Sequence, residues 1–212
     1  MRDFPVFTTD YGVASLVLKE VPYRQEAYIT IQAATEPEAL LRECVSFCRM
    51  VGADKIYAKG HEMLTRYPLH TAVYEMKAIA WVEKEKLECL FPVTEATVSQ
   101  WRSIYNEKMR RVDNAGTLEA KDEKRIVESG GAYFVDRGGQ LLGIGWLEDT
   151  KLLTVAAVNP GAGERVMHTL MSLIEGADMT LEVASTNKRA IRLYEKLGFL
   201  KTTEISKWYC VF

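Results

Sequence analysis

Two residues near the C-terminal end of the sequence, Tyr194 and Asn187, have side chains suited to proton transfer and to polar binding. A phenol has a pKa near ~10, so the Tyr194 hydroxyl is protonated at neutral pH and can give a proton to a departing anion. The Asn187 amide can bind a polar ligand or an ordered water. Taken alone, the residue types favour a core aromatic at position 194 and a simple helix cap at position 187.

The elements that must position these two residues are a strand, a helix and a second strand. Leu181 to Val183 alternates apolar and polar residues, as a strand does. The helix that follows has one apolar face, formed by Ala190, Ile191, Tyr194 and Leu197. Gly198 stands where a left-handed residue commonly ends a helix. Residues 199–208 then form the second predicted strand.

The residue identities in this segment are more specific than its pattern. The run Asn187-x-x-Ala190-x-x-Leu193-Tyr194-x-x-x-Gly198-Phe199 resembles the C-terminal motif of the GNAT family, the acyl-CoA-dependent N-acyltransferases. The resemblance covers the last third of the chain directly. It implies an α/β fold with a mixed, mostly antiparallel sheet flanked by helices. It also implies acetyl-CoA as the co-substrate, with no metal.

The resemblance also implies roles for particular groups. Tyr194 matches the residue that protonates the departing thiolate, and Asn187 matches the usual contact to the CoA arm. Counted back from the loop after the central strand, the Ala156 N–H is expected to hold the thioester oxygen as it becomes an oxyanion. The main chain of Val158 is then left to bond the pantetheine arm.

A loop and helix start at residues 158–166 occupy the place where the family binds the pyrophosphate. A helix N-terminus offers N–H groups and a favourable dipole to a phosphate. The cofactor-binding residues expected here are Gly161, Gly163, Glu164, Arg165 and Val166. The family has Arg or Gln where Gly163 stands and glycines where Val166 and His168 stand. The sequence thus departs from the family pattern, and Arg165 is the nearby positive charge.

The amine acceptor is not specified by the sequence. The family's acceptor contacts come from the first two helices and their loop, here Tyr105 to Gly116, where Arg110 and Arg111 could receive an acidic acceptor. A carboxylate could take the amine proton, and the candidates are Asp113, Glu148, Asp149 and Glu182. No spacing distinguishes one of them, and the residue type favours a solvated surface carboxylate at each of the four positions.

Composition and charge are those of an ordinary soluble protein, with 48% hydrophobic and 26% charged residues among 212. The net charge of −2 argues against a general nucleic-acid or anionic-membrane binder. No signal peptide or membrane span is recognised, so a cytoplasmic protein is expected. Cys44 and Cys48 share a helix face but lack a second pair for a zinc site.

The domain organisation predicted from element order has two parts. Residues 85–212 give strand, two helices, hairpin, central strand, helix, strand, helix and strand, the order expected of a GNAT domain. In residues 1–84 a helix and a strand flank Gly52-Ala53-Asp54, as another pair flanks Gly176-Ala177-Asp178. We therefore hypothesise that residues 1–84 are a truncated GNAT-like half without the catalytic motif. An unrelated α+β lobe is the alternative.

The sequence therefore predicts an N-acetyltransferase that moves an acetyl group from acetyl-CoA to a primary amine by direct attack. The acceptor is a small-molecule or peptide amine, without nucleic-acid or membrane partners, and a homodimer stays open. The nearest alternative is a non-catalytic GNAT-fold module that binds a small molecule or a protein, since fold does not dictate function. A third interpretation is a tandem-domain aminoacyl- or acyl-transferase with the acceptor bound between the two halves.

Overall fold

A computed structural model of the chain describes residues 5–79, 88–174 and 176–212. It divides into two compact units, a first unit of Met1–Ala72 with Ile205–Phe212 and a second unit of Val73–Glu204. The boundary predicted between residues 84 and 85 lies outside the described residues. The observed division falls earlier in the chain and assigns the last eight residues to the first unit.

The first unit begins with three antiparallel strands and continues with a helix and a parallel strand. In chain order its elements are β1 (Val6–Thr9), β2 (Gly12–Val17), α1 (Val21–Arg24), β3 (Glu26–Ala34), α2 (Pro37–Met50), β4 (Lys55–Lys59) and a 3-10 turn (Glu62–Arg66). Strands β1, β2 and β3 are antiparallel neighbours, and β4 pairs with β3 in parallel. The start of β5 (Leu69–Ala78) and the end of the last strand complete the unit.

Helix α2 is formed as the sequence predicts, with Pro37 in its first turn, where a missing N–H costs nothing. Its apolar face packs on the buried side chains of β3. Cys44 and Cys48 are fully buried in this core, and burial raises the pKa of their thiols to about 12 and about 11. All four cysteines are free thiols, and Cys89, unlike the two in α2, is exposed.

The second unit is the longer one and carries the motif. Its elements are β6 (Cys89–Pro92), α3 (Val98–Met109), a 3-10 turn (Ala120–Asp122) leading into α4 (Glu123–Glu128), β7 (Ala132–Arg137), β8 (Gln140–Glu148), β9 (Lys151–Ala157), α5 (Gly163–Met171) with a 3-10 turn (Ser172–Ile174), β10 (Met179–Ala184), α6 (Lys188–Lys196) and β11 (Leu200–Cys210). The strand order is β5-β10-β9-β8-β7-β6. The β9–β10 pair is parallel and the other neighbours are antiparallel.

This mixed sheet with helices around it confirms the predicted fold class. The predicted central strand, the strand before the motif and the motif helix correspond to β9, β10 and α6. The second of the two helices predicted before the hairpin is short and runs as the 3-10 turn and α4. No described helix has both the length and the apolar composition needed to cross a membrane.

Helix α5 packs closely on β8 because two positions of that strand have no side chain. A Cβ placed on Gly143 would lie 2.5 Å from the Ala156 oxygen and 2.7 Å from Val166 Cγ2, and one on Gly145 would lie 2.3 Å from Leu170 Cδ1. All three distances are far below van der Waals contact. The fully buried side chains of Val166 and Leu170 fill the space that these glycines leave.

Both units contain the same local order of three antiparallel strands, a helix and a parallel strand. Gly52 and Gly176 follow the helix in each case and both have a positive φ, 96° and 80°. The hypothesis that residues 1–84 are a truncated GNAT-like half stays a prediction. The parallel strand pairs of the two units differ in length, however. Strands β3 and β4 pair over five residues, from Glu26 with Lys55 to Thr30 with Lys59, whereas β9 and β10 pair over two.

Candidate active site

Strands β9 and β10 pair only at their first residues and then separate. Their register joins Lys151 with Thr180 and Leu152 with Leu181, and it ends there. Because the strands are parallel, they open toward their carboxyl ends, where α5 and α6 begin. We call the space between residues 155–157 of β9 and residues 183–184 of β10 the β9–β10 gap. The main-chain groups beside this gap and two helix N-termini are thereby brought to one end of the sheet.

The N–H groups of β9 that face the β9–β10 gap are set by its pairing with β8. The Val158 N–H donates to Leu142 O at 2.8 Å, and the register continues with Ala156 opposite Ile144. Alternate residues of an antiparallel ladder direct their N–H and C=O groups to the same edge. The Ala156 N–H therefore faces β8, as does its C=O, which would lie 2.5 Å from a Cβ on Gly143.

This geometry moves the expected oxyanion donor by one residue. The sequence count assumed that Val158 faces the gap, whereas the antiparallel pairing with β8 extends one residue beyond β9 and engages its N–H. By alternation, the N–H groups on the gap side of β9 are those of Val155 and Ala157. The structure thus brings Ala156 and Val158 to the edge of the gap, with their N–H groups directed toward β8 and not toward the gap.

The carbonyl of Val158 is also engaged. Lys108, near the end of α3, donates from Nζ to this oxygen at 3.3 Å, and the same ammonium lies 3.0 Å from the Glu107 carboxylate. Lys108 therefore links the end of α3 to the end of β9, at one side of the gap. The sequence interpretation did not identify Lys108, because a lysine near the end of a helix gives no local signal of a partner 50 residues away.

The N-terminus of α5 offers main-chain donors on one side of the gap. Ala162 precedes the helix and provides no side-chain cap, so the first helical N–H groups, those of Gly163, Glu164 and Arg165, have no partner inside the helix. Gly161 has a φ of 85° and a Cβ there would meet nothing within 4 Å, so the loop is open. A Cβ on Gly163 would instead lie 3.2 Å from Leu193 of α6.

The charges at this helix start partly compensate one another. Lys196 donates from Nζ to Glu164 Oε2 at 2.6 Å, and this hydrogen bond lowers the pKa of the Glu164 carboxyl below its usual value. Arg165 is exposed and its guanidinium has no partner within the described residues. Val166 is not brought to the site, since its side chain is fully buried and its N–H donates to Ala162 O at 3.0 Å.

Helix α6 places the two motif residues on the other side of the gap. The Asn187 side chain accepts a hydrogen bond from the Ala190 N–H at 3.2 Å, so it caps the helix with its oxygen. No partner of its amide nitrogen lies within the described residues. Tyr194 is buried among side chains of α5 and β10, and its ring packs 5.8 Å from that of Phe199.

Burial raises the pKa of Tyr194 to about 12, because the phenolate would lose solvation there. The described part of the chain contains no hydrogen-bond partner for its hydroxyl. The residue is therefore both a core aromatic and a protonated acid at every physiological pH. This position is compatible with both roles that the sequence allows for Tyr194, a core aromatic and a proton donor.

The structure distinguishes the four candidate carboxylates by their positions. Asp113 Oδ2 accepts a hydrogen bond from Thr186 Oγ1 at 2.6 Å, which places Asp113 at the carboxyl end of β10, beside the gap. Glu148 and Asp149 lie at the opposite end, before β9 begins. Glu182 forms an ion pair with Lys151 where the two strands are still joined. Asp113 is thus the candidate that lies nearest to the gap.

The loop between α3 and α4 also contains a residue that sequence reasoning missed. Asn114 has a left-handed backbone, with a φ of 59°. Both polar atoms of its side chain are enclosed and have no hydrogen-bond partner within the described residues. Leaving such groups unsatisfied costs about 1–3 kcal/mol each. Arg110 and Arg111, which were considered for an acidic acceptor, are exposed in the same loop.

Comparison with known protein families gives a match to part of the chain. Residues 153–209 match the family described as FR47-like protein. This segment runs from β9 to β11 and includes both α5 and α6. No curated protein matches the chain in sequence.

Solved structures with the same fold share little sequence with this chain. A candidate acetyltransferase from Pyrococcus horikoshii has a TM-score of 0.59 and 13% identity, over 95% of this chain and 70% of its own. A GCN5-related N-acetyltransferase from Sphaerobacter thermophilus has a TM-score of 0.53 and 9% identity, over 93% and 75%. A functionally unknown conserved protein from Staphylococcus epidermidis has a TM-score of 0.56 and 9% identity, over 99% and 94%.

Proposed function

We propose that this chain, which has the GNAT fold and the GNAT resemblance in its last third, is an acetyltransferase that moves an acetyl group from acetyl-CoA to a primary amine. The observation that supports this most directly is the separation of β9 from β10 beside the N-termini of α5 and α6. A sheet that opens at this point can admit an extended arm between two strands. The closed β3–β4 pair of the first unit offers no equivalent opening.

The residues around the gap fit acetyl-CoA. The N–H groups of Gly163, Glu164 and Arg165 would hold the pyrophosphate, and the Arg165 guanidinium would add a positive charge. The open turn at Gly161 leaves space for it. Asn187 would offer its amide nitrogen to the arm. When bound, acetyl-CoA supplies an acyl group activated as a thioester.

The main chain of β9 would stabilise the developing negative charge. The N–H groups of Ala157 and Val155 face the gap, and a preorganised donor aimed at an oxyanion contributes more than one in water. This role needs no side chain, so it survives the altered residues of the following loop. Ala156 and Val158 would hold β9 in register with β8 and keep those N–H groups in place.

Two side chains would transfer protons, Tyr194 as the donor and Asp113 as the acceptor. Tyr194 would hold its proton at Oη until the thiolate departs. Its raised pKa keeps it in the acid form, and the same low-polarity surroundings that raise this pKa also favour a neutral thiol. Asp113 would take the proton of the amine, directly or through water, since it lies at the carboxyl end of β10. The proposal involves no metal ion.

A non-catalytic binding module is the second candidate, and one observation favours it. Both main-chain groups of Val158 are already occupied by the protein, the N–H by Leu142 and the C=O by Lys108. In a chain that no longer binds acyl-CoA, protein groups could have taken over the hydrogen bonds that the pantetheine arm would make with Val158. The two candidates differ in whether acetyl-CoA is bound and consumed.

Transfer activity of the Tyr194→Phe variant tests the proposal. The purified protein is mixed with acetyl-CoA and a panel of small-molecule and peptide amines, and release of free CoA thiol is followed. We expect turnover by the wild type, a loss of roughly 10²-fold or more in Tyr194→Phe, and unchanged acetyl-CoA affinity. Tyr209→Phe, in the first unit, is the matched control and should keep the wild-type rate. Equal rates in all three proteins would remove Tyr194 from the mechanism.

A further inference from the structure

The solvent-exposed side of α6 carries a row of cationic side chains. They are Arg189, Arg192 and Lys196, at intervals of three and four residues, the spacing that places side chains on one face of a helix. All three side chains are exposed. With a rise of ~1.5 Å per residue, the row extends over about 10 Å along the helix axis. We call these three residues the α6 basic row.

One end of the α6 basic row adjoins the start of α5. Lys196 Nζ donates to Glu164 Oε2 at 2.6 Å. A Cβ on Gly163 would lie 3.2 Å from Leu193 Cδ2, on the same side of α6. Gly163 and Glu164 are the first residues of α5, whose free N–H groups we assign to the pyrophosphate. The basic row therefore begins beside this helix start and continues along α6 toward Asn187.

Two of the three cations in the row are available to a ligand. The Lys196 ammonium is already paired with the first turn of α5. The guanidinium groups of Arg189 and Arg192 have no ion pair or hydrogen bond to any residue that the structure describes. Glu195 is exposed on the same helix, but at 3.6 residues per turn it projects on the side opposite to Leu193, away from α5.

The position of these arginines indicates which anionic group they would meet. In CoA a 3′-phosphate is carried by the same ribose whose 5′ oxygen carries the pyrophosphate, so the two anionic groups are neighbours. A phosphate monoester has a charge of about −1.5 to −2 at neutral pH. Arginine binds phosphate oxygens through two parallel hydrogen bonds, whereas lysine acts as a point charge. A pyrophosphate at the start of α5 would therefore bring the 3′-phosphate to the basic row.

We propose that Arg189 and Arg192 bind the 3′-phosphate of acetyl-CoA and make the donor site selective for acetyl-CoA over its 3′-dephospho form. This inference rests on the proposed function, because it takes acetyl-CoA as the ligand. It also gives the loop after β9 a source of positive charge. The GNAT pattern has Arg or Gln where Gly163 stands, and here the arginines are supplied by α6 instead.

Calorimetric titration with acetyl-CoA and with its 3′-dephospho form tests this role. The double variant combines Arg189→Gln with Arg192→Gln, and the control combines Lys121→Gln with Lys124→Gln, which removes two exposed cations elsewhere in the same unit. We expect the wild type to bind acetyl-CoA roughly ten-fold more tightly than the dephospho form, because hydrogen bonds to charged groups are lost. The double variant should lose this preference and bind the dephospho form within about two-fold of the wild-type affinity. The control should keep the preference.

Kinetics and thermal unfolding separate a binding role from a structural one. Since both arginines are exposed, the double variant should melt at the wild-type temperature without ligand. Its KM for acetyl-CoA should rise by roughly ten-fold with kcat unchanged.

Three results would overturn the proposal. The wild type could bind both ligands equally, or the double variant could keep the preference for acetyl-CoA. Equal weakening of both ligands in the double variant would assign the arginines to a general attraction for the pyrophosphate. If the wild type binds neither ligand, the proposed function fails as well.

Discussion

Lys196 at the end of α6 lies 2.6 Å from the carboxylate of Glu164 in the first turn of α5. The pair joins the two helices that begin beside the β9–β10 gap. It also explains how an acidic residue can stand at a helix start that is expected to bind a pyrophosphate. The lysine compensates the charge that would otherwise repel a pyrophosphate.

Removing the Glu164 charge should therefore strengthen CoA binding. In Glu164→Gln, Lys196 is released and the repulsion at the helix start is lost. A single charge at a helix terminus contributes about 0.3–1 kcal/mol, so we expect a rise in affinity of roughly 2- to 5-fold. Calorimetric titration with CoA at low salt measures this change, and Lys196→Gln should have the opposite effect. Equal affinities in all three proteins would show that the pyrophosphate does not lie at this helix start.

The change in the free energy of unfolding with alkaline pH should report the burial of Tyr194. The unfolded chain releases the phenolic proton near a pKa of about 10, whereas the folded protein holds it to about 12. Between these pH values the unfolded state binds fewer protons, so the free energy of unfolding falls as pH rises, by up to about 1.4 kcal/mol per pH unit. Below pH ~10 the contribution is fully present.

Urea unfolding of wild type and Tyr194→Phe at pH 9, 10, 11 and 12 tests this linkage. The thiol of Cys48, with a pKa raised to about 11, gives a slope of the same sign in both proteins. The difference between the two proteins therefore isolates Tyr194. We expect a flatter decline in Tyr194→Phe above pH 10. Parallel declines would mean that the phenol titrates with its ordinary pKa.

Asp113 should matter for turnover more than the other candidate carboxylates. Asp113→Asn keeps an oxygen that can accept the hydrogen bond from Thr186, so the loop should stay in place. We expect its transfer rate to fall by roughly 10²-fold, as for the loss of a general base. Glu182→Gln, whose parent side chain pairs with Lys151 away from the gap, is the control and should stay near wild type. A larger loss of transfer rate in Glu182→Gln than in Asp113→Asn would show that Asp113 is not the general base.

Gly143 should tolerate no side chain. In Gly143→Ala the new methyl group meets the Ala156 carbonyl oxygen, a main-chain atom held in the sheet, whereas in Gly145→Ala it meets terminal atoms of Leu170 that can rotate. Overpacking of this kind typically costs about 1–3 kcal/mol. Chemical denaturation should show a larger loss of unfolding free energy for Gly143→Ala than for Gly145→Ala. The reverse order would mean that β8 and β9 are less closely paired than the structure shows.

The elements around the motif could be predicted from sequence because their signals are local. The apolar face of α6, its cap at Asn187 and the glycine after it all lie within twelve residues of one another. The edge of β9 that faces the gap could not be predicted, because it depends on how Val158 pairs with Leu142, a residue of another strand. One residue of difference in that pairing moves the proposed oxyanion donor from Ala156 to Ala157.

Long-range pairing also explains the other differences. Strands β5 and β11 each contribute to both units, so the division after Ala72 follows from sheet pairing and not from a composition change in the chain. Lys108 and Asn114 could not be predicted as site residues, because only the fold brings the end of α3 and the loop after it beside the gap. Their residue types are common on protein surfaces and give no signal by themselves.

Binding of acetyl-CoA to the purified protein tests the central claim most directly. Thermal unfolding is measured with and without the ligand and followed by calorimetric titration. Ligand at ~100 times its dissociation constant should stabilise the fold by about 2.7 kcal/mol. Arg165→Glu is the control, since Arg165 is exposed and a negative charge there should oppose the pyrophosphate. We predict a clear shift with micromolar binding in the wild type and a weaker one in the variant. Absence of any shift at millimolar acetyl-CoA would contradict the acetyltransferase account and favour the binding module.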